Sequence, residues 1–490
     1  MLPYKTLLQI DRSSNTPLFL QLSNQVVQLI QNGQLVSGSK LPSSRVLAEI
    51  CQLNRNTINK SYQELESLGW ITIQAKKGAF VVDNFPYIKT QRWSNQSEEL
   101  DNTQLSKFSY YPFPSLKTPK AVSSLLGFDD GLPDIRLAPI EELGKAYIRN
   151  LRQLGFEKNL NYTDALGPSS LRQQLSKLLN ETRGLNVTEA NILITRGSTM
   201  AVHLAVAATV KHGDTMIVGT RNYKTANMMV NHFGGQLKTV PVDDKGIQLD
   251  TIPNLCKQHR VRAVYVTSHH HHPTTVTLSA ERRLQLMQLA TQYNFCILED
   301  DYDYDFHYDN SPVLPLASGD PEGRVIHFGS FTKLIAPAFR VGYLVASKEL
   351  ISSIVKLRRI FDRQGDTVLE TAIAELMDKG VIRRHKKKSW RIYKERRDYC
   401  CDLLEKELKD FIQFEKPSGG MAIWAIFNEA IDLSALSKRM RQRGVYLSDG
   451  LNYQPIEGPS VNAIRMGFAS MNKEEIKKCV DVLKEEISEI

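Results

Sequence analysis

Ser330-Phe331-Thr332-Lys333 decides the reading of this chain, with Arg340 seven residues on and Asp300 and Tyr302 about thirty residues upstream. Each of these residue types has a role around one prosthetic group. A lysine amine condenses with an aldehyde. Hydroxyls such as Ser330 and Thr332 bind a dianionic phosphate, and an arginine such as Arg340 does so through paired donors. A carboxylate such as Asp300, at the end of the apolar run Phe295-Cys296-Ile297-Leu298, keeps a pyridine nitrogen protonated and the ring an electron sink. A lone lysine is ordinarily a solvated surface charge. Lysine, hydroxyls, arginine and carboxylate in this order point instead to pyridoxal 5'-phosphate (PLP) held as a Schiff base on Lys333.

Working outward, short apolar runs alternate with helical patterns. The runs include residues 191–195, 215–218, 263–267, 295–298 and 325–328. Continuous apolar strands joined by helices predict an α/β fold with a mainly parallel sheet covered on both faces. Beyond about residue 350, charged helices lead to Met421–Phe427 and Ala463–Phe468, expected strands of a smaller α+β domain. The expected organisation is a DNA-reading head over 1–83, a linker over 84–120, a large domain over 121–349 and a small domain over 350–490. The linker reading rests on polar composition with Pro86, Pro112, Pro114 and Pro119.

The head begins with Leu18, Leu22, Val26 and Ile30 at helical spacing, stopped by Gly33. Ser43 or Ser44 caps a second helix, and Asn54 opens a third. In that third helix Ile58, Tyr62 and Leu65 face a core, leaving Arg55, Asn56, Asn59, Lys60 and Gln63 outside. Residues 70–73 and 79–82 alternate as strands around Lys76-Lys77-Gly78, a hairpin wing. Arg and Asn on such a face read base edges in a major groove. Lys76 and Lys77 on a glycine tip reach adjacent phosphates or the minor groove.

Composition agrees with this organisation. A chain of 490 residues predicts two or three domains of about 100–200 residues each. Hydrophobic residues are 42% and charged residues 23%, and no apolar run approaches the roughly twenty residues needed to span a membrane. Met1-Leu2-Pro3-Tyr4-Lys5 carries no signal-peptide stretch. The net charge of +9 fits a nucleic-acid partner. Six cysteines without metal-ligand spacing read as reduced thiols in a cytoplasmic protein. No metal is expected. Of the four histidines His269 to His272, neighbours on an extended loop point to opposite faces and lack chelating spacing.

Two resemblances sharpen these expectations. Pro17-Leu18-Phe19, Gly38 to Ala48, Asn54 to Ile58, Tyr62 to Gly69 and Lys77 to Val81 resemble, in order, the motifs of a GntR-type winged helix-turn-helix. That likeness implies phosphate contacts from Arg45, groove contacts from Arg55 and Thr57, and close approach of Gly78 to a double-stranded DNA operator. Residues 121–490 resemble a fold-type-I aminotransferase, and the whole chain resembles a MocR/GabR-type regulator. By motif, Asn161 to Gly167 places Tyr162 on the cofactor phosphate of a neighbouring subunit, so a homodimer is expected. Gly197-Ser198-Thr199 opens a helix whose amides and hydroxyls receive the phosphate. Tyr223 stacks on the pyridine ring, and Tyr302, in Glu299-Asp300-Asp301-Tyr302-Asp303, donates to the phenolate oxygen. Arg465 binds a substrate α-carboxylate.

Departures from the family pattern lie in two loops. Thr275 stands where the family carries glycine, so that loop is expected to be tighter or displaced. His272 stands where aminotransferases often carry an asparagine donor. Gly219 to Tyr223 lacks the acidic-x-Pro-Gly before the tyrosine. The expected function is a PLP-dependent transcription regulator sensing an amino acid, an amine or PLP itself. The alternative is an active aminotransferase with an appended DNA-binding module.

Overall fold

In the N-terminal head, side-chain caps set where two of the helices start. The computed structural model describes residues 2–83, 126–153, 155, 157–309 and 313–489. The Ser43 side chain accepts from the Val46 amide to open Ser44–Cys51, and Asn54 accepts from Asn56 to open Arg55–Ser67. The expected inward set Ile58, Tyr62 and Leu65 is buried, and packs with Leu22, Val26, Leu29 and Leu47. Strands Ile71–Gln74 and Gly78–Val81 pair antiparallel to make the wing, and close the same core through Ile71, Ala79 and Val81. The tip needs unusual backbone: Lys76 has φ +63 and Gly78 φ +114. A Cβ at Gly78 would stand 3.1 Å from Lys40 Cε, so glycine suits both the angle and the space.

The chain divides into two units, Met1–Leu116 and Lys117–Ile490. The linker read over 84–120 lies outside the described residues.

The second unit is built on a seven-stranded sheet. Its order is Ile192–Thr195, Gly342–Val345, Val325–Ser330, Cys296–Asp300, Val261–Val266, Thr215–Gly219 and Gln236–Val240. All run parallel except Gly342–Val345, which is antiparallel to both neighbours. One apolar cluster, including Leu193, Met216, Tyr265, Leu298 and Phe328, lies on one face. A second, including Ile217, Val264, Ile297 and Val325, lies on the other. Burial on both faces explains why these strands read as unbroken apolar runs.

A three-stranded antiparallel sheet, Ile412–Phe414, Ala422–Phe427 and Ala463–Gly467, forms the smaller layer. The helix Val381–Leu408 packs with Lys473–Ser488 in the cluster that covers it. One expectation about position needs correction. Leu126–Gly127, assigned to the large domain by its place in the chain, pairs parallel with Val445–Tyr446. Helix Ile140–Arg152 packs against Thr367–Asp378. The start of this unit therefore returns to the C-terminal half, a long-range pairing that local periodicity does not reveal. Among the described residues no helix is long and apolar enough to cross a membrane.

Candidate functional site

The C-terminal ends of the parallel strands converge, as open α/β sheets require of a ligand site. A cavity of about 180 Å³ lies there. It is lined by Ser198 and Thr199, by Tyr223, Thr267 and His272, by Asp300 and Tyr302, by Ser330, Thr332, Lys333 and Arg340, and by Asp130 and Tyr265. Of the thirteen lining residues, Asp130, Tyr265 and Thr267 are absent from the sequence-based set.

At one end is an anion cradle. Helix Gly197–Thr209 begins there, so its first amides are free to donate. Gly197 has φ +75, and a Cβ on it would stand 2.8 Å from Arg340 Nη2. Glycine therefore lets the guanidinium lie against the helix N-terminus. Arg340 donates to the Arg196 carbonyl at 3.1 Å and itself adopts φ +50. Ser330 Oγ accepts from the Thr332 amide at 3.0 Å, whereas buried Thr332 Oγ1 has no hydrogen-bond partner.

At the other end stands Asp300, buried at the end of its strand. Tyr265 donates its hydroxyl to Asp300 Oδ2 at 2.8 Å, while Oδ1 has no partner. Burial pushes the Asp300 carboxyl up to about 7, and Asp301 and Asp303 add to the rise against the Tyr265 hydrogen bond. Behind it the histidines are used structurally. His269 Nδ1 lies 3.0 Å from Asp301 and His270 Nδ1 2.8 Å from Asp303. His271 pairs with Thr274 Oγ1, and burial pushes its imidazole down to about 3. Among the described residues no group of three or more His, Cys, Asp or Glu is placed to hold a metal ion.

Lys333 lies between these ends. Its Nζ donates to the Gly131 carbonyl at 2.6 Å, and burial pushes its ammonium down, against the opposing pull of Asp130. Arg465 is buried beside it, yet holds its neighbours loosely. Nη2 reaches the Tyr302 hydroxyl at 3.3 Å, Nη1 the Pro273 carbonyl at 3.4 Å, and Nε lies 3.3 Å from Asp130 without hydrogen-bond geometry.

Other expected residues fall as follows. The Tyr302 hydroxyl donates to the His270 carbonyl at 2.8 Å, so its proton is engaged there. His272 turns Nε2 to Asp130 at 3.2 Å, leaving Nδ1 buried without a partner. Tyr223 meets His272 edge-on, with centroids 5.7 Å apart. Thr275 takes φ +63, the region glycine favours, and the turn closes through its amide to the His271 carbonyl. Tyr162 is 71% exposed, lies under the Arg363 guanidinium and does not line its own chain's cavity. In the head, Arg45, Arg55, Asn56, Asn59, Lys60, Lys76 and Lys77 are exposed, and Thr57 and Gly78 are partly so. A more open space of about 730 Å³ beside Thr274–Thr277 and Gln413–Ser418 lacks the lysine, the strand-end carboxylate and the helix N-terminus.

PLP fits this cavity on the evidence of its unsatisfied groups. Asp300 Oδ1 awaits a donor, which a pyridinium N–H supplies. Thr332 Oγ1, the helix N-terminus and Arg340 await an anion. Family matching agrees. Residues 128–483 match the model described as aminotransferase class I and II. The chain belongs to that family. Its domain is PLP-dependent, and residues 19–81 match the bacterial regulatory proteins of the gntR family. A DNA-binding GntR head on an aminotransferase-like domain is the architecture of a MocR-type transcription regulator. Relatives share both parts. An uncharacterised HTH-type transcriptional regulator, YisV of Bacillus subtilis (strain 168), is 26% identical over 94% of each chain. A probable rhizopine catabolism regulatory protein, MocR of Rhizobium meliloti, is 24% identical over 98% of this chain and 95% of its own. An archaeal alanine:glyoxylate aminotransferase superposes with a TM-score of 0.70 at 28% identity, covering 74% of this chain and 91% of its own.

Of the missed residues, Tyr265 had a weak signal and Asp130 had none. A tyrosine within the apolar strand residues 263–266 carries a hydroxyl that needs a buried partner, and Tyr265 finds it in Asp300. Asp130 stands in Phe128-Asp129-Asp130-Gly131, where nothing local marks it off from a solvated turn.

Proposed function

We propose that this regulator is a cytoplasmic homodimer whose PLP domain senses an amino acid or an amine and changes the grip of its heads on an operator. The observation that carries the reading is one cavity lined by Lys333 and Asp300, with buried Arg465 against its Tyr302 and Asp130, on a chain that also bears a GntR head. Bound PLP supplies an aldehyde that captures amines and a ring that withdraws electrons. Lys333 is the residue that bonds to it. Gly197, Ser198, Thr199, Ser330, Thr332 and Arg340 hold its phosphate, joined by Tyr162 from the partner subunit. Asp300 pairs with its ring nitrogen. Tyr223 stacks on the ring, and Tyr302 and His272 serve its ring oxygen. Arg465 binds the effector's carboxylate. In the head, Arg55, Asn56, Thr57, Asn59 and Lys60 enter the major groove. Arg45, Lys76, Lys77 and Gly78 meet the backbone or minor groove.

An effector shifts DNA binding only through different affinities for two arrangements of the protein. An effector amine that took the place of Lys333 on the cofactor would supply that difference, because it would leave Lys333 a free amine, which the Gly131 carbonyl is placed to accept. Completeness of the lysine, aspartate and arginine set also supports the alternative, an active aminotransferase. One experiment separates them. Amino acids and amines are screened for shifts of the visible band, then operator binding and keto-acid formation are measured on the same samples. Altered operator affinity without rapid turnover supports the regulator. Fast multiple-turnover transamination with unchanged DNA binding promotes the alternative. A monomer in sedimentation at micromolar concentration with PLP bound would remove Tyr162 from the shared site.

A further inference from the structure

The buried Arg465 guanidinium already has an anion. Asp130 sets Oδ1 3.3 Å from Arg465 Nε, accepts the Tyr453 hydroxyl on the same oxygen at 3.0 Å, and turns Oδ2 to His272 at 3.2 Å. Its side chain is nevertheless half exposed to the cavity. Asp130 is presented by a rigid support. Asp129 Oδ1 accepts the amides of Gly131 and Leu132, Oδ2 accepts the Ser470 hydroxyl, and the Asp129 carbonyl accepts the Gly467 amide at 2.7 Å. Gly467 lies so close that a Cβ on it would meet Asp129 Oδ1 at 2.2 Å. The backbone beneath Asp130 is clamped while its carboxylate faces open space.

We propose that Asp130 is a specificity-determining residue, a built-in competitor occupying the position that a ligand α-carboxylate must take on Arg465. The proposal rests on the reading of Arg465 as the carboxylate site. A buried guanidinium left unpaired is costly, so Arg465 benefits from a resident anion. Burial alone would raise the Asp130 carboxyl, but His272, Arg465 and Lys333 outweigh it and hold the group ionised. The contacts it makes to Arg465 are long and poorly aligned, and weak contacts of this kind are exchangeable. A carboxylate-bearing ligand must swing Asp130 aside or suffer like-charge repulsion. An amine without a carboxylate meets no such competition. Asp130 therefore lowers affinity for amino acids relative to their decarboxylated amines, and admits only those acids whose other contacts overcome it.

The test uses the full-length, PLP-loaded protein. The twenty L-α-amino acids and their decarboxylated amines are titrated against the visible band, which reads binding independently of turnover. Asp130→Asn is compared with Asp130→Ser, so that failure of one variant to fold leaves the other to decide. Both are expected to tighten responding amino acids by about tenfold or more, the size expected from removing a like charge, with amines changed less than about twofold. Arg465→Ala in parallel is expected to abolish the amino-acid response. Unchanged or weakened amino-acid binding in both Asp130 variants, with Arg465→Ala still abolishing it, overturns the competitor and leaves the carboxylate site standing. Amino-acid binding that survives Arg465→Ala removes the carboxylate site itself, and the proposal with it.

Discussion

The head and the cofactor cavity hold their charges in opposite ways. Arg45, Arg55, Lys60, Lys76 and Lys77 project into solvent from a core of Leu22, Val26, Ile58 and Leu65. In the proposed reading, their counter-charges arrive with the DNA. At the cavity and just behind it, Asp300, Lys333 and Arg465 are each paired within the protein, with Tyr265, Gly131 and Asp130. Exposed charges are screened by salt and leave the fold nearly indifferent to their removal. Buried ones depend on each other, so changing one leaves its neighbour uncompensated. Salt therefore tunes the head, and bound ligands and pH tune the cavity.

The largest break in this comparison is at Lys333. Lys333→Ala is expected to remain folded and to lose all PLP that borohydride fixes to the wild-type chain. Peptide mass spectrometry checks this, and a label retained in the variant would place the bond on another lysine.

Next is the pH response of Asp300. In the cofactor-free fold its carboxyl lies near 7, above the ordinary 3.8. The folded state binds that proton more tightly than the unfolded chain does. The stabilisation is thus complete below about pH 4 and lost as pH rises to about 7. Relative to Asp300→Asn, cofactor-free wild type should lose ~4 kcal/mol across that window. Denaturant melts of both proteins at the two ends measure it, and parallel pH curves would refute the assignment. PLP should reverse the order, because a pyridinium pairs with the charged carboxylate. Asp300→Asn should then retain the cofactor less well.

Two smaller effects sharpen the head's side. Arg55→Ala should cost about 1–3 kcal/mol of discrimination between operator and random DNA, as expected of a base contact. Competition binding to the two DNAs reads it. Lys76→Ala should weaken both DNAs alike and reduce the slope of log affinity against log salt by about one. Equal losses on every sequence from both variants would erase the division between base and phosphate readers.

Much of this architecture was legible locally. The apolar runs around residues 192, 216, 264, 297 and 326 became parallel strands, because burial on both faces demands unbroken apolar sequence. Ile58, Tyr62 and Leu65 became core because 3.6-residue spacing puts them on one helical face. Gly342–Val345 is also apolar, but its antiparallel direction depends on how the chain returns over residues 331–341, which periodicity does not encode. Gln236–Val240 carries polar residues because, at its edge of the sheet, only Val240 is fully buried. At Thr275 a threonine occupies the turn where the family resemblance carries glycine. Threonine adopts the positive φ, and its amide still closes the turn.

Local sequence carries the two folding patterns and the candidate reactive set. Helix caps, strand patterns and the Lys333 motif are short-range features, each written within a few turns of chain. Which charges face each other depends on the path of the folded chain. Asp130, Tyr453 and Arg465 come from distant parts of the chain and meet because Leu126–Gly127 returns to pair with Val445–Tyr446 and Ala463–Gly467 lies alongside Ala422–Phe427. Electrostatic pairing acts through a few ångströms of space, whatever the separation along the chain. The partner of a buried charge is therefore fixed by the path of the backbone.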